Sequence, residues 1–375
     1  MSHPELITAL TSLAAGLAAG LVMHRSGFCM AGMFRDLFMF RSVFMLRVLA
    51  AAVAVAMLLL ELLRQTGLVA VFPFPGFNTP SLATIAGGVL FGVGMVLAGG
   101  CVAGTLYRIG AGSSASMVAF GGLLAGSALY AEFHGFWAPV AAKTKLPAGF
   151  ETIAGLLGIS QGGIVMLSLA ILAIPVYGWI RKGMLLRSAF VGGYVQPWIA
   201  AVVLAGAVAL SVAVIGVPLG VTTSYAKMGA WIEHLVAPEH VSSLSYFQLI
   251  PFKYDNVLLG ITYRGGPGPQ ADSISLIQFP LIVGLMLGGF VSAILAREFR
   301  VRAAPPVQLL SAAIGGVLMG LAARMAPSCN LWHLLGGLPI LATQSVLFMV
   351  GLLPGAWLGS LVLEKIVMSE TFQKE

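Results

Sequence analysis

The residues of this sequence whose type and spacing could carry chemistry are its three cysteines, Cys29, Cys101 and Cys329. The first two share the frame Gly-x-Cys-x-x-Gly, at residues 27–32 and 99–104, whereas the third follows Pro and Ser instead of glycine. A thiol can bind a soft metal, act as a nucleophile when ionised, or donate a weak S–H hydrogen bond. The sequence around the cysteines indicates which of these chemistries is favoured.

A single cysteine in an apolar helix ordinarily packs as a small hydrophobic residue. Here each cysteine follows an apolar run and coincides with Gly or Pro, which interrupt a membrane helix and leave backbone groups that must face protein or water. A short helix that begins at the cysteine would direct several N–H groups and the positive end of its dipole into a cavity. The pattern therefore favours an anion site at each of the three predicted helix breaks.

Two other chemistries remain open. Soft-metal transport is one, because thiolates and the 17 methionines could bind Cu(I), although the chain has neither a Cys-x-x-Cys pair nor a His-rich tract. A membrane sulfurtransferase is the other, but a nucleophile needs an adjacent base, and only Cys329 has a histidine within four residues, His333. We predict no catalytic residue, no metal ligand and no cofactor. No nucleotide-binding motif of the type G-x-x-x-x-G-K-[ST] occurs, which excludes an ATPase within this chain.

The elements that position the cysteines are predicted to be membrane helices. Of the 375 residues 59% are apolar and only 9% are charged, against about 25% charged in soluble domains. A spanning helix needs about 20 mostly apolar residues. Nine such runs occur, at 6–23, 48–63, 81–98, 112–131, 162–180, 196–216, 274–296, 307–323 and 340–363. The sequence predicts an all-α polytopic membrane protein, and its scattered net charge of +7 excludes nucleic-acid binding.

The Lys and Arg residues predict the orientation. With the N-terminus outside, 13 of the 20 fall in inward segments and 7 in outward ones. Cytoplasmic loops carry the excess of Lys and Arg in membrane proteins. We therefore expect the N-terminus outside and the C-terminus in the cytoplasm.

An internal repeat relates the two halves of the chain. A shift of 228 residues places 87–110 on 315–338 without a gap, with 8 of 24 positions identical, and Cys101 then falls on Cys329. The two copies would cross the membrane in opposite directions, as in transporters whose substrate path follows the repeat interface. We expect short re-entrant helices at the cysteine loops and two inverted four-helix repeats. The expected divisions are 1–135 for the first repeat, 136–188 for a linker with the fifth helix, 189–366 for the second repeat and 367–375 for a cytoplasmic tail.

Several other residues are expected to support the thiols. An ionisable residue inside a membrane helix is a functional candidate, and Arg324 lies five residues before Cys329 in an apolar run. Alternatively, the Arg324 side chain extends to the membrane surface. The same two roles are open for Lys227. His333 could pack against other residues or cap a helix. By the logic of the repeat, Cys29, which follows the first span, should have a counterpart after the sixth, and Gly27-Phe28-Cys29 can be laid on Gly220-Val221-Thr222. The supporting set comprises Gly27, Gly32, Gly99, Gly100, Gly104, Asn330, Arg324, His333, Thr222 and Lys227.

Three segments together resemble the YeeE/YedE family of sulphur transporters. They are G-F-C-M-A-G-M-F-R-D at 27–36, L-A-G-G-C-V-A-G-T-L-Y-R at 97–108 and A-R-M-A-P-S-C-N-L at 323–331. The similarity covers essentially the whole membrane portion, and the residues around Cys101 look closer to the thiosulfate-permease branch (YeeE) than to the selenium-associated branch (YedE).

The resemblance implies a permease of the bacterial inner membrane that imports thiosulfate or a related sulphur oxyanion. The ion would be handed along Cys29, Cys101 and Cys329 through S–H···S hydrogen bonds. The resemblance also implies a cytoplasmic partner, a TusA-like sulphur carrier of the YeeD type. Pro327 and Ser328 replace the glycine that the family has before its third cysteine, and this departure leaves the choice of oxyanion, including a selenium species, open.

Overall fold

The computed structural model describes residues 2–69, 71–77, 79–189 and 192–372. The first half contains α1 (His3–Ser26), α2 (Met30–Phe40), α3 (Phe44–Gln65), α4 (Ala83–Leu97), α5 (Val102–Gly110) and α6 (Ser114–Lys143). The middle contains α7 (Ile153–Leu157) and α8 (Gln161–Arg181). The second half contains α9 (Pro197–Ile215), α10 (Thr222–Val236), α11 (Pro238–Ser243), β1 (Phe252–Asn256), β2 (Ile261–Gly265), α12 (Ser273–Leu295), α13 (Pro306–Met325) and α14 (Thr343–Phe372).

The prediction of an all-α polytopic fold is confirmed. Within the described ranges, nine helical segments are long and apolar enough to cross a membrane, and each overlaps one of the nine predicted runs. Two of these segments are interrupted at a cysteine: His3–Phe40 consists of α1 and α2, and Ala83–Gly110 consists of α4 and α5. The fifth segment, α8, is the most peripheral, with side chains such as Ile174 74% exposed. Lipid contact explains why so exposed a helix is apolar.

Glycines bring α4 and α13 into close, antiparallel contact. A Cβ atom added to Gly87 would lie 2.6 Å from the backbone nitrogen of Ala326, and one added to Gly94 would lie 2.8 Å from that of Met319. Residue numbers therefore increase along α4 in the direction in which they decrease along α13, so the two helices are antiparallel. The loops that follow these helices, which carry Cys101 and Cys329, therefore leave the pair at opposite ends.

Two further helix pairs connect the halves of the chain, and both are parallel. On α4, Cβ atoms added to Gly88 and Gly92 would each lie 2.5 Å from a carbonyl oxygen of α14, those of Phe348 and Leu352. On α6, a Cβ atom at Gly122 would lie 2.5 Å from the carbonyl oxygen of α13 residue Ala313. A shift of 228 residues places α6 on α14 to within one residue, and the same shift places α4 on α13. The α4–α14 pair and the α6–α13 pair are therefore equivalent. Each half thus takes its closest helical partners from the other half.

A short β-hairpin is an addition that the sequence analysis did not predict. The strands β1 and β2 pair antiparallel, with Tyr254 opposite Tyr263. The hairpin lies over the end of α9, because the Asn256 side-chain amide donates to the carbonyl oxygens of Val214 and Ile215 at 2.9 Å. It covers one end of the helical bundle.

Candidate functional site

Each cysteine comes just before a short helix: α2 follows Cys29, α5 follows Cys101, and a helical turn that includes the π-helix Trp332–Gly337 follows Cys329. All three are free thiols and at most 3% exposed. Their carbonyl groups accept the first hydrogen bond of the following helix. The acceptor and donor residues, with the O···N distances, are Cys29 and Met33 (3.0 Å), Cys101 and Thr105 (2.7 Å), and Cys329 and His333 (3.0 Å). The prediction that a short helix starts at each cysteine loop agrees with this geometry.

The first turns of the short helices lie beside the sulfur atoms. The N–H group of Gly104 donates to the Sγ atom of Cys101 at 3.2 Å. A Cβ atom at Gly32, the equivalent position after Cys29, would lie 4.0 Å from the Cys29 sulfur. The free N–H groups of a first helical turn carry partial positive charge. An anion beside any of the three thiols would be stabilised by that charge.

Cys29 and Cys101 lie side by side although 72 residues separate them in the sequence. Their sulfur atoms both border the Cβ position of Gly104. A Cβ atom at Gly104 would lie 3.3 Å from the Cys101 sulfur and 3.4 Å from the Cys29 sulfur. Glycine at this position therefore leaves open the space that the two sulfur atoms share.

The third thiol, Cys329, is buried in the same part of the protein. The three cysteines are members of one buried cluster. The antiparallel contact of α4 with α13 places the loop of Cys329 at the opposite end of this helix pair from the loop of Cys101.

The turns before the cysteines depend on a left-handed backbone. Gly27 and Gly99, each two residues before a cysteine, both have a φ of 65°. Ser328, the residue before Cys329, has a φ of 100°, which a side chain rarely adopts. Strain of this kind persists only where the surrounding structure imposes it, and it is concentrated at functional sites. The departure from glycine noted in the sequence thus falls on the most unusual backbone position of the three turns.

A cavity of about 260 Å³ reaches Ser328 from one side of the molecule, and we call it the Arg324 cavity. The guanidinium group of Arg324 donates to Thr223 at 3.2 Å and to Thr222. Its Nε atom is buried and has no partner within the part of the chain that the structure describes. Arg324 is therefore directed into the protein rather than toward lipid headgroups. The Arg324 cavity is lined by Gly76, Tyr130, Val217, Pro218, Gly220, Thr223, Tyr246, Leu249, Pro251, Phe252, Pro267, Ile274, Ile277, Gln278, Arg324, Pro327, Ser328 and Trp332.

A second cavity, of about 270 Å³, reaches Gly27, two residues before Cys29, and we call it the Arg302 cavity. Its lining includes two cationic side chains, Arg25 and Arg302. Arg302 precedes α13 and Arg324 lies near the end of that helix, which has 20 residues and so a length of about 30 Å. The two cavities thus open at opposite ends of α13. The Arg302 cavity is lined by His24, Arg25, Gly27, Gly192, Tyr194, Glu298 and Arg302.

Arg108 is a site residue that the sequence analysis did not single out. Its guanidinium group donates to the carbonyl oxygen of Gly99, in the turn before Cys101. Its charge acts on both Cys29 and Cys101. In the sequence, the indication of this role was an arginine nine residues after Gly99. By itself, such an arginine is typical of the polar end of a short helix.

His333 and Asn330 differ in their surroundings. The His333 ring stacks on Phe348 at a centroid distance of 4.2 Å, and its Nδ1 atom pairs with the Ser345 hydroxyl at 3.0 Å. These contacts hold the ring in place, its buried Nε2 atom has no partner among the described residues, and within the same residues no hydrogen bond joins the ring to Cys329. Asn330 is fully buried, and within the same ranges neither amide atom of its side chain has a partner. Such a group is costly unless something binds it.

Lys227 lies in a different environment from the thiols. Its ammonium group forms an ion pair with Asp272 at 2.7 Å and donates to the carbonyl oxygens of Gly268 and Gln270. Every donor of the buried amine is thereby used. The position of Lys227 is explained by the loop that it holds, so the structure brings Thr222, but not Lys227, together with Arg324.

The cysteines do not form a three-ligand metal cluster in the described residues. The group of three that lies close enough there consists of Glu132, Glu233 and His240, whose ligand atoms are within 4.8 Å of one another. It lies largely exposed and contains no thiol.

Comparison with known proteins finds relatives that are transporters. The thiosulfate transporter TsuA of Spirochaeta thermophila is 32% identical over 362 residues, 92% of this chain and 96% of the relative. The thiosulfate transporter TsuA of Escherichia coli is 28% identical, over 94% of this chain and 93% of its own length. The probable transporter YedE of Salmonella typhimurium is 29% identical over 48% of this chain and 43% of its own.

The match to a family extends from one helix break to the last spanning helix. Residues 25–358 match the family described as sulphur transport, and this range includes all three cysteines, Arg302 and Arg324. The resemblance seen in the cysteine motifs is therefore confirmed over most of the chain. The chain belongs to the sulphur transport family.

Proposed function

We propose that this protein is a permease that carries thiosulfate, or a closely related sulphur oxyanion, across the membrane along its three thiols. The observation that carries the proposal is that the three buried thiols lie between two cavities: the sulfur atoms of Cys29 and Cys101 border the same space at Gly104, and the cavities reach Gly27, near Cys29, and Ser328, next to Cys329. The relatives that match over nearly their whole length are named thiosulfate transporters, which supports thiosulfate as the substrate.

The order of sites follows from these contacts. An ion entering the Arg324 cavity would meet Cys329 first, then Cys101, then Cys29, and would leave through the Arg302 cavity. Cationic residues stand at both ends, and the charge of Arg108 acts on the last two thiols. The path thus has positive charge wherever the ion is taken from or returned to water.

The physical difficulty is the charge of the substrate. Thiosulfate is a dianion, and a charge inside a bilayer is costly. The N–H groups at the three helix starts and the arginines offset part of that cost. The thiols must remain protonated, since a thiolate would repel the ion. An S–H group is a weak donor, so each site holds the ion loosely enough to release it to the next.

We further infer that the chain is an inverted repeat placed in the bacterial inner membrane with its N-terminus outside. The antiparallel contact of α4 with α13 and the equivalent pairs of α4 with α14 and α6 with α13 support the repeat. The distribution of Lys and Arg supports the orientation. The Arg302 cavity then faces the cytoplasm, where a TusA-like sulphur carrier would receive the ion.

Uptake measurements test the function. The protein is reconstituted in liposomes, and entry of radiolabelled thiosulfate is followed for the wild type, for Cys29→Ala, Cys101→Ala and Cys329→Ala, and for the triple variant. Each single variant should lose most of the uptake while remaining inserted, and the triple variant should lose all of it. Met166→Ala, at an exposed position on the peripheral helix α8, is the control and should transport normally.

Three results would overturn the proposal. Wild-type uptake in the triple variant would exclude the thiol line. Release of sulfite from thiosulfate by the purified protein, lost in the same variants, would show a membrane sulfurtransferase. Cysteine-dependent entry of Cu(I) or selenite without entry of thiosulfate would show a carrier for a soft metal or a selenium species.

A further inference from the structure

Tyr225 has a buried hydroxyl group whose presence packing does not explain. The residue is fully buried, and its hydroxyl has no hydrogen-bond partner within the described ranges of the chain. Two other buried tyrosines use their hydroxyl groups: Tyr254 donates to the carbonyl oxygen of Ile215, and Tyr263 pairs with Thr8 at 2.6 Å. A phenylalanine would fill the place of Tyr225 without leaving a buried polar group unpaired.

The position of Tyr225 on α10 places it beside the thiol line. It lies three residues after Thr222 and so on the same face of the helix, and Thr222 contacts Arg324 on α13. Side chains on a helix point back toward its N-terminus, so the phenol ring extends toward the start of α10. The ring also packs edge-on against Phe120, at a centroid distance of 5.3 Å, which limits its movement.

Tyr225 belongs to the same buried cluster as two of the thiols, Cys101 and Cys329. Thr222, one turn earlier on α10, contacts Arg324, which lies five residues before Cys329. Cys329 and Cys101 are successive sites on the proposed path. A buried O–H donor without a partner therefore lies in the region through which the ion would pass between them.

Thiosulfate offers two kinds of acceptor. Its terminal sulphur suits the weak S–H donor, whereas its oxygens accept stronger hydrogen bonds from O–H groups. We propose that the Tyr225 hydroxyl donates a hydrogen bond to the oxygens of the sulphur oxyanion as it moves from Cys329 to Cys101, and that this contact selects ions with both an oxyanion end and a thiol-binding sulphur end. The inference rests on the proposed function and adds a specificity-determining residue to it.

A pair of matched variants tests the contact. Tyr225→Phe should raise the KM for thiosulfate about tenfold, the effect of one lost hydrogen bond to a charged group, with a smaller change in maximal rate. Because it removes an unpaired hydroxyl, it should leave the thermal stability of the ligand-free protein unchanged or higher. Tyr254→Phe removes one of the two hydrogen bonds to the Ile215 carbonyl oxygen, the other coming from Asn256, so it should lower the thermal stability and leave the KM unchanged. A merely structural role for Tyr225 would give the pattern of Tyr254.

The outcomes separate this inference from the function on which it rests. An unchanged KM in Tyr225→Phe, together with loss of uptake in Cys329→Ala, would overturn the role of Tyr225 and leave the permease standing. Normal uptake in the cysteine variants would overturn the permease itself. If Tyr225→Phe does not insert, 3-fluorotyrosine at position 225 supplies the second measurement: its more acidic phenol should lower the KM, and an unchanged KM would refute the contact.

Discussion

The guanidinium group of Arg324 donates a hydrogen bond to the hydroxyl group of Thr222. This bond holds a cation at the end of α13 against the first residue of α10. In the proposed repeat, the match of Gly27-Phe28-Cys29 to Gly220-Val221-Thr222 would put this hydroxyl where the first half has a thiol. The Thr222 hydroxyl then has the role of an anchor for Arg324 rather than that of a fourth relay site.

The charge of Arg324 is expected to set the apparent affinity for the anion. A cation in a cavity raises the local concentration of anions, and salt weakens the effect. Arg324→Gln should raise the KM for thiosulfate more than it lowers the maximal rate, and Arg324→Lys should be milder. The measurement is uptake at low and high ionic strength. Arg181→Gln removes the same charge at the exposed end of α8 and should have no effect; an equal effect of both changes would refute a local role.

The space beside Gly104 is expected to be necessary for transport. In Gly104→Ala the new methyl group would lie 3.3 Å and 3.4 Å from the two sulfur atoms and displace them. We expect uptake per inserted protein to fall roughly tenfold, equal to about 1.4 kcal/mol in the barrier. Gly121→Ala on α6, where nothing lies within 4 Å of the new atom, is the control. Normal uptake in Gly104→Ala would show that the thiols do not need this space.

Lys227 is expected to act on stability rather than on transport. Its side chain is fully buried, and its partner Asp272 is 17% exposed. Removal of one partner of a buried ion pair costs about 3 kcal/mol, so Lys227→Met should lower the melting temperature in detergent. Lys253→Met, at an exposed site on β1, should not. A raised KM for thiosulfate with unchanged stability would instead assign Lys227 to the substrate path.

His240 is expected to make the stability depend on pH. Its hydrogen bond to Glu132, together with the charges of Glu132 and Glu233, raises the pKa of His240 above its usual 6.5. The protonated ring therefore stabilises the fold fully below about pH 6.5, and this contribution is lost as the pH rises through the raised pKa. His240→Gln should lower the melting temperature near pH 5.5 and have little effect near pH 9. His3→Gln, which is exposed, is the control; a shift of equal size at both pH values would contradict the mechanism.

Local sequence was sufficient to predict the spanning helices and the helix starts at the cysteines. In a bilayer a span must be apolar over a fixed length and must satisfy its own hydrogen bonds. Hydropathy therefore located all nine segments. The turns at Gly27 and Gly99 were also predictable from local sequence, because each depends on a glycine two residues before the cysteine.

Residues that depend on distant contacts were not predictable. Tyr225 follows Thr-Thr-Ser, a context in which an aromatic residue is typical of a membrane interface; only packing against α6 and α13 reveals its buried hydroxyl. Lys227 pairs with Asp272, 45 residues away, and no pattern in either segment indicates the other. The expectation that Lys227 belongs with the thiols arose from its closeness in sequence to Thr222.

The exchange of helical partners between the two halves limits how this protein can move. Many transporters expose their substrate alternately by rocking one rigid half against the other. Here Gly88 and Gly92 of the first half fit directly against the backbone of α14, and Gly122 fits against that of α13. Such a motion would have to separate several backbone contacts at once. The ion would therefore pass by side-chain rotation and small local shifts along the proposed path. Such motions are faster than domain motions. Conduction would then resemble that of a very narrow pore more than the cycle of a carrier whose halves rock.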